Sequence, residues 1–468
     1  MKRRLTLIIA IVALVACVDG GPVDLDSDVP IDGRVTIAWD GRTIDWGAPE
    51  SLNATLEDGP AGSTILWRSL NDLYRGRPVV LGHGASITTA ALRPGITTVE
   101  ATLMMGDTQI SRDVAEISVR YRESWNLALE GQVQYPNGTV GDVWVNGGRA
   151  YVARRSAGGI SIVGLDGAAV EIGRFTADSL FTQDVKVADG VAYVSHEPVP
   201  GFTGYPFSVT LLDVSDPAAP LVVAGVPVEV APSAHNLWID GDLLTAAAGA
   251  TDFSLFDVSD PAAPRLLSRI DPSPSTAHDA HVRNGLLFGS SMGFGSDPGR
   301  LTIVSILQPS SPAVLGEITF PPLSFTHSSW LSADGRFLYV AEENVNAPIR
   351  IYDVTDPADP RQVGAYQPRL GTLPHNFQVQ DGRFAYLSHY KHGIEVIDVS
   401  DPTRPRLVGF YDTHPGIDED PTGLAPAHDK GQDTFEGAWG VHWTDDGRIV
   451  ASDMNRGLFV FRFTGPLD

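Results

Sequence analysis

One phrase returns along this chain and limits what it can fold into. It reads Leu211-Leu-Asp-Val-Ser-Asp-Pro-Ala-Ala-Pro220, then Leu255-Phe-Asp-Val-Ser-Asp-Pro-Ala-Ala-Pro264. It comes back as Ile351-Tyr-Asp-Val-Thr-Asp-Pro-Ala-Asp-Pro360 and Val396-Ile-Asp-Val-Ser-Asp-Pro-Thr-Arg-Pro405, with a degenerate copy at Ile303-Val-Ser-Ile-Leu-Gln-Pro-Ser-Ser-Pro312. From the first Asp (Ser305 in the degenerate copy) the steps are 44, 48, 48 and 45 residues. A period in the forties made of several short strands is that of propeller blades, each of which buries its faces only against its neighbours. The Asp-Pro pairs read as turn punctuation. Asp can bond the backbone two residues on, and Pro ends a strand ladder because it lacks an N–H.

Each unit divides into four strands, as in Asn376–Val379, Phe384–Leu387, Ile394–Ile397 and Arg406–Tyr411. The first strand, a, recurs at Asp142, Asp184, Asn236, Asp279, Ser328, Asn376 and Gly440, which makes seven blades. The fourth strand, d, recurs only six times, at Val170, Leu221, Arg265, Ala313, Arg361 and Arg406. The last unit stops at Gly457–Phe463 without one. The missing strand is expected from Trp125–Gly131, ahead of blade one; pairing it with the last blade closes the ring and removes an open edge. The expected fold class is all-β, a seven-bladed propeller over 122–468 preceded by an Ig-like β-sandwich over 33–121.

In the 33–121 stretch, short alternating runs such as Val35–Trp39, Ser51–Leu56 and Val114–Val119 are separated by turn residues, the pattern of a sandwich. Ile65-Leu-Trp-Arg-Ser and Leu92-Arg-Pro-Gly-Ile-Thr-Thr-Val-Glu-Ala-Thr resemble bacterial Ig-like or PKD-like modules, with Trp67 expected in the core. Ahead of it, Met1-Lys-Arg-Arg4 and the apolar run Leu5–Ala16 have the form of a signal peptide and are too short to span a bilayer as a helix. The run ends in Leu14-Val-Ala-Cys17, similar to a bacterial lipobox, in which the thiol of Cys17 takes the lipid. Residues 1–16 are then a lipoprotein signal peptide and 17–32 a flexible acidic tether. The expected location is the bacterial cell envelope, lipid-anchored to the outer membrane on its periplasmic side or at the cell surface.

The Ile-x-Val-x-Asp-Val-Ser-Asp-Pro units resemble LVIVD repeats. Together with His278-Asp-Ala, His327-Ser-Ser-Trp-Leu-Ser-Ala-Asp-Gly, His375-Asn-Phe-Gln-Val and Ser388-His-Tyr-Lys-His-Gly, their order over about residues 125 to 463 resembles the LVIVD-containing choice-of-anchor B family of bacterial surface proteins. The resemblance implies a secreted or surface-anchored propeller of unassigned biochemistry. It brings no catalytic residues with it.

Chemistry is expected where the blades converge. The residue at the start of strand a should lie near the central channel, and four consecutive blades put a histidine there: His235, His278, His327 and His375. Asp142, Asp184 and Trp439 occupy that region in other blades, and the ends of strand b add His196, Ser291, Glu342, His389 and Asp453 on the same face. Converging imidazoles can hold a divalent metal ion with carboxylates completing the set, or bind a polar ligand, or act as acid and base near neutral pH. They can equally be a repeat-inherited device, each histidine bonding the next blade's backbone. The long loop 412–437 enters strand a of blade seven and could cover this mouth. Its Asp418, Glu419 and Asp420 read as a solvated acidic loop or a set of hard oxygens for Ca²⁺.

Composition excludes more than it selects. A net charge of −24 opposes nucleic-acid binding, which relies on Lys and Arg neutralising phosphates. A single cysteine excludes internal disulfides and cysteine-based zinc sites. No Walker loop, HExxH or GxGxxG string occurs. The expected function is a non-enzymatic surface module, lifted from the membrane by the sandwich and binding an unknown protein or polar ligand. The alternatives are a metal-dependent hydrolase or lyase at the histidine-lined mouth, and an envelope scaffold.

Overall fold

The computed structural model describes residues 33–136, 138–177, 180–198, 205–248, 251–380, 382–415 and 435–466. The expected signal peptide, tether and Cys17 lie outside these residues, as do Asp418, Glu419 and Asp420. Among the described residues there is no helix; every regular element is a strand.

From residue 124 on, six sheets of four strands and one of five follow one another, seven blades in all. Blade one is Val143–Asn146, Arg149–Ala153, Ile160–Gly164 and Val170–Phe175, and blades two to six repeat the a-b-c-d meander. All six expected starts of strand d coincide with observed strands, beginning at Val170, Leu221, Arg265, Ala313, Arg361 and Arg406. Strands b and c of each blade are almost wholly buried, whereas strand d is mostly exposed on the rim, as in Leu221–Pro227.

Both aspartates of the repeated phrase cap turns. Asp213 accepts from the Ser215 N–H at 2.9 Å and Asp216 from the Ala218 N–H at 3.0 Å. The same pair of bonds recurs at Asp257 and Asp260, at Asp353 and Asp356, and at Asp398 and Asp401. The proline that follows the second aspartate has a second use. Its carbonyl presses on strand d of the preceding blade, where only a glycine fits. A Cβ on Gly173, Gly316 or Gly364 would stand 1.6, 1.9 and 2.1 Å from the oxygens of Pro217, Pro357 and Pro402. The turn motif therefore also docks blade against blade.

The ring closes as the sequence implies. Leu127–Val133 pairs antiparallel with Gly457–Phe463, joining residues from opposite ends of the propeller in blade seven. The chain reaches it through a switch. Ser124–Trp125 first adds a fifth strand to blade six, then Asn126 takes a positive φ of 54° and donates from Nδ2 to the Val408 carbonyl at 2.8 Å.

Residues 34–120 form two sheets, one of three strands and one of five, over a shared core with Trp67 fully buried. Trp67 donates from Nε1 to the Gly84 carbonyl at 2.8 Å. The sandwich is docked directly on the propeller. Trp46 is buried against Phe410 and His392 of blade six, beneath the Arg369 guanidinium. Arg75 bonds Glu342 at 2.8 Å and the Pro322 carbonyl at 3.0 Å, and Tyr74 donates to Glu342 at 3.1 Å. The contacts fall on the b–c loops and strand-a entries of blades five and six, the face that carries the histidines.

Ring closure predicts an energetic link between distant residues. Leu127 and Phe461 share one buried cluster. Each Ala variant should lose about 2–5 kcal/mol, and the double variant should depart from additivity by about 0.5–3 kcal/mol in urea unfolding. Strict additivity would show that the closing strand is not packed on blade seven.

Candidate metal centre

Strand a runs along the channel and its side chains stack in three layers, with a β-bulge at the strand start setting each histidine and the residue after it in successive layers. The outermost holds the four histidines. Ring centroids step from His235 to His278 at 4.4 Å, to His327 at 4.3 Å, to His375 at 4.1 Å and on to Trp439 at 4.3 Å. The sequence reading thus brings together residues from five consecutive blades.

The arc has two different halves. At one end His235 is tied down: its Nδ1 lies 2.7 Å from Glu197, which also accepts from Gln183. Burial opposes charge on His235, but the Glu197 carboxylate outweighs it and raises the imidazole's pKa. At the other end His278 and His375 each engage one ring nitrogen. His278 Nδ1 faces the His327 carbonyl at 3.3 Å and His375 Nδ1 faces the Trp439 carbonyl at 2.6 Å. These contacts are the backbone bonds to the next blade that repeat inheritance would supply. They leave the opposite edge of each ring turned inward, and His375 Nε2 and His327 Nδ1 are buried with no partner among the described residues.

Glu343 faces these rings. One donor atom each of His278, His327 and Glu343 lie within 4.8 Å of one another, and His375 Nε2 is 3.9 Å from Glu343 Oε1. The Tyr390 hydroxyl donates to Glu343. Burial raises the Glu343 carboxyl to about 7, against the Tyr390 bond that lowers it. Burial also holds His278 and His327 well below the usual histidine range and His375 at about 3, so all three are neutral at pH 7.

One layer down, the channel is acidic. Asp142 and Asp184 both bond the buried Lys186 ammonium, and Asn376 donates to Asp142 at 2.9 Å. Burial is the largest influence on Asp142 and raises it to about 7 despite Lys186; it raises Asp279 to about 6. Gly440 of blade seven leaves the space that Asp142 fills, since a Cβ there would stand 2.1 Å from its Oδ1. The layer borders a small cavity of about 30 Å³, floored by Trp144, Trp238, His281 and Trp330. Adjacent aromatic contacts of 4.5 to 5.7 Å plug the channel there.

Several expected mouth residues are elsewhere. Asp142 and Asp184 belong to this deeper layer. His196 is buried inside blade two between the Thr182 and Thr210 hydroxyls, each 3.0 Å away. His389 is buried on Glu395, which also holds Arg369 and Tyr366. Asp453 accepts from Thr413 at 2.6 Å and caps the Asn455 and Arg456 N–H groups. Glu342 is consumed by the docked sandwich. His196, His389, Asp453 and Glu342, at or near the ends of their b strands, are turned into the blade or the interface, and the residue after Glu342 reaches the channel instead. Glu343 and Lys186 were missed. The string Gly289-Ser-Ser-Met-Gly293 fits the GxSxG pattern and was also passed over, but it ends strand b of blade four and is not the strand-to-helix turn that exposes a nucleophile.

The buried neutral histidines predict acid lability. Burial holds His196 at about 3 in the fold, below the ordinary value of about 6.5. Its contribution is therefore complete above about pH 6.5 and is lost as pH falls toward 3, because the unfolded chain binds the proton first. Between pH 7 and pH 5, His196→Gln should spare about 2 kcal/mol of the loss seen in wild type, read by urea unfolding at both pH values. Parallel losses in the two proteins would refute the assignment.

Three segments match the LVIVD repeat family: residues 137–163, 231–271 and 380–413. They fall on strands a to c of blade one, the whole of blade three, and strands b to d of blade six. No curated protein matches the chain. The three matched LVIVD repeats and the ring of sheets together support a β-propeller from residue 124.

Proposed function

We propose that this protein is a lipid-anchored binding module of the bacterial envelope, and that its propeller takes a small polar or ionic ligand at the histidine arc. The observation that carries the reading is the inner edge of that arc, where His327 Nδ1 and His375 Nε2 are buried without a hydrogen-bond partner among the described residues and Glu343 lies beside them. Burying such groups costs free energy unless something bonds them. The arc is too enclosed for a macromolecule to touch, which favours a small ligand: His278, His327 and His375 are buried. The lipobox-like Leu14-Val-Ala-Cys17 supports anchoring, as does the resemblance to choice-of-anchor B surface proteins. In this reading the Ig-like sandwich roofs part of the binding face instead of serving as a stalk. The net charge of −24 argues against nucleic acid as a partner.

A ligand that binds only the folded state stabilises it in proportion to its occupancy, by about 2.7 kcal/mol at a concentration 100 times Kd. Thermal unfolding of the mature chain against a panel of small anions, sugars, amines and divalent ions should give a rise in midpoint for at least one member. The rise should vanish in His278→Ala/His327→Ala. A panel with no effect, or a rise that survives in the double variant, would remove the reading. For the anchor, Cys17→Ser should move the full chain from the membrane fraction to the soluble fraction of a bacterial host. Retention in the membrane would exclude lipidation at Cys17.

A further inference from the structure

We propose that His278, His327, His375 and Glu343 form a closed site for one borderline divalent transition ion, with Zn²⁺ the best fit. The inference rests on the reading of the histidine arc as a ligand site and gives that ligand a chemical class.

Three independent features point to a metal. The first is convergence. Donor atoms of His278, His327 and Glu343 lie within 4.8 Å of one another, and His375 Nε2 is 3.9 Å from Glu343 Oε1. A tetrahedral Zn²⁺ with bonds of about 2.0–2.1 Å sets its ligand atoms about 3.3 Å apart, so side-chain shifts of about 1 Å close the set.

The second is orientation. Ligating histidines characteristically spend their other ring nitrogen on a carbonyl or carboxylate, and ligating carboxylates are themselves hydrogen-bonded. His278 and His375 face backbone carbonyls with Nδ1, and Glu343 accepts from Tyr390. The inward nitrogens are then fixed as lone-pair donors.

The third is the donor type. Three imidazoles and one carboxylate suit Zn²⁺ and its neighbours, not the oxygen-seeking Ca²⁺ or Mg²⁺. His235 is outside the set because Glu197 already holds it at 2.7 Å.

The ligands come from blades four, five and six, so the ion would stitch three blades at the axis. Four protein ligands leave no open position for water, which suits holding an ion over hydrolysing a substrate.

The test uses the full mature chain, stripped with a chelator. Zn²⁺ titration in competition with a chromophoric chelator should show one ion per chain, and Co²⁺ should give the visible d–d bands of a tetrahedral site. Glu343→Gln and His327→Gln should weaken Zn²⁺ binding at least 100-fold. Tyr390→Phe, which removes only the group orienting Glu343, should weaken it 10- to 100-fold. His235→Gln should leave it within about twofold. The site is overturned if wild type binds no stoichiometric Zn²⁺ or Co²⁺, or if folded Glu343→Gln and His327→Gln bind as wild type does. Should those variants fail to fold, X-ray absorption of the wild-type Zn²⁺ complex decides: three imidazole shells support the site and fewer than two overturn it. A polar compound whose stabilisation needs the histidines, in a protein that does not bind Zn²⁺, overturns the metal site and leaves the binding-module reading intact.

Discussion

The pairing of Leu127–Val133 with Gly457–Phe463 is the contact on which the rest depends. A propeller blade contributes only one strand to the channel, so the width of the channel is set by how many blades the ring admits. That number is fixed when the chain's first propeller strand fills the edge left by its last. With seven blades, successive strand-a starts bring histidine rings to centroid separations of 4.1 to 4.4 Å. An unclosed ring would splay these neighbours and expose the edge of Gly457–Phe463 to pairing with another chain. Inter-blade docking works in the same direction. Each proline carbonyl seated on a strand-d glycine fixes the angle between blades, so the axis inherits its geometry from turns on the opposite face.

The channel holds its polar groups in layers, and the layers are not equivalent. In the acidic layer two carboxylates already have an ammonium between them, and the Lys186 charge offsets part of their repulsion. Removing that ammonium would leave buried carboxylates facing one another, the kind of change that costs several kcal/mol. In the histidine layer His327 Nδ1 and His375 Nε2 have no such partner among the described residues. Repeat inheritance explains why histidine recurs, since its Nδ1 can bind the adjacent blade's backbone. Glu343 differs from its counterpart in blade two, because Glu197 is already bonded to His235 whereas Glu343 faces the unbonded nitrogens of His327 and His375.

How legible all this was in the sequence depended on whether a feature is periodic. Blade number, the starts of strand d, the capping aspartates and the closing strand repeat or complete a repeat, so the chain spells them out. The recurrence of histidine at the start of strand a places the rings at the axis for the same reason. The ends of strand b were misread because the exit from a strand has no fixed register. At blade five the side chain that turns to the channel is Glu343, one residue past the expected Glu342. His196 and His389 were drawn to the mouth by residue type alone, whereas each is satisfied inside its own blade. Lys186 was invisible because one buried lysine in a strand looks like any surface lysine until its aspartates are seen around it. The docking of the sandwich has no sequence signature either: Trp46 looks like an ordinary core residue of its own domain.

That docking reaches the histidine arc through two adjacent glutamates. Consecutive residues at a strand end point in opposite directions. Glu342 turns toward the sandwich and is gripped by Arg75, Tyr74 and Arg350, while Glu343 turns toward His278, His327 and His375. Glu343 is also anchored at its backbone, where its N–H donates to the Phe325 carbonyl at 2.7 Å. Glu342 is fully buried, so its charge depends on the arginines that reach it. Without the sandwich Glu342 would lose Arg75 and Tyr74 and keep Arg350 of its own blade. The docked domain and the histidine arc therefore meet at one dipeptide of blade five, whose first carboxylate is held by the sandwich and whose second faces the imidazoles.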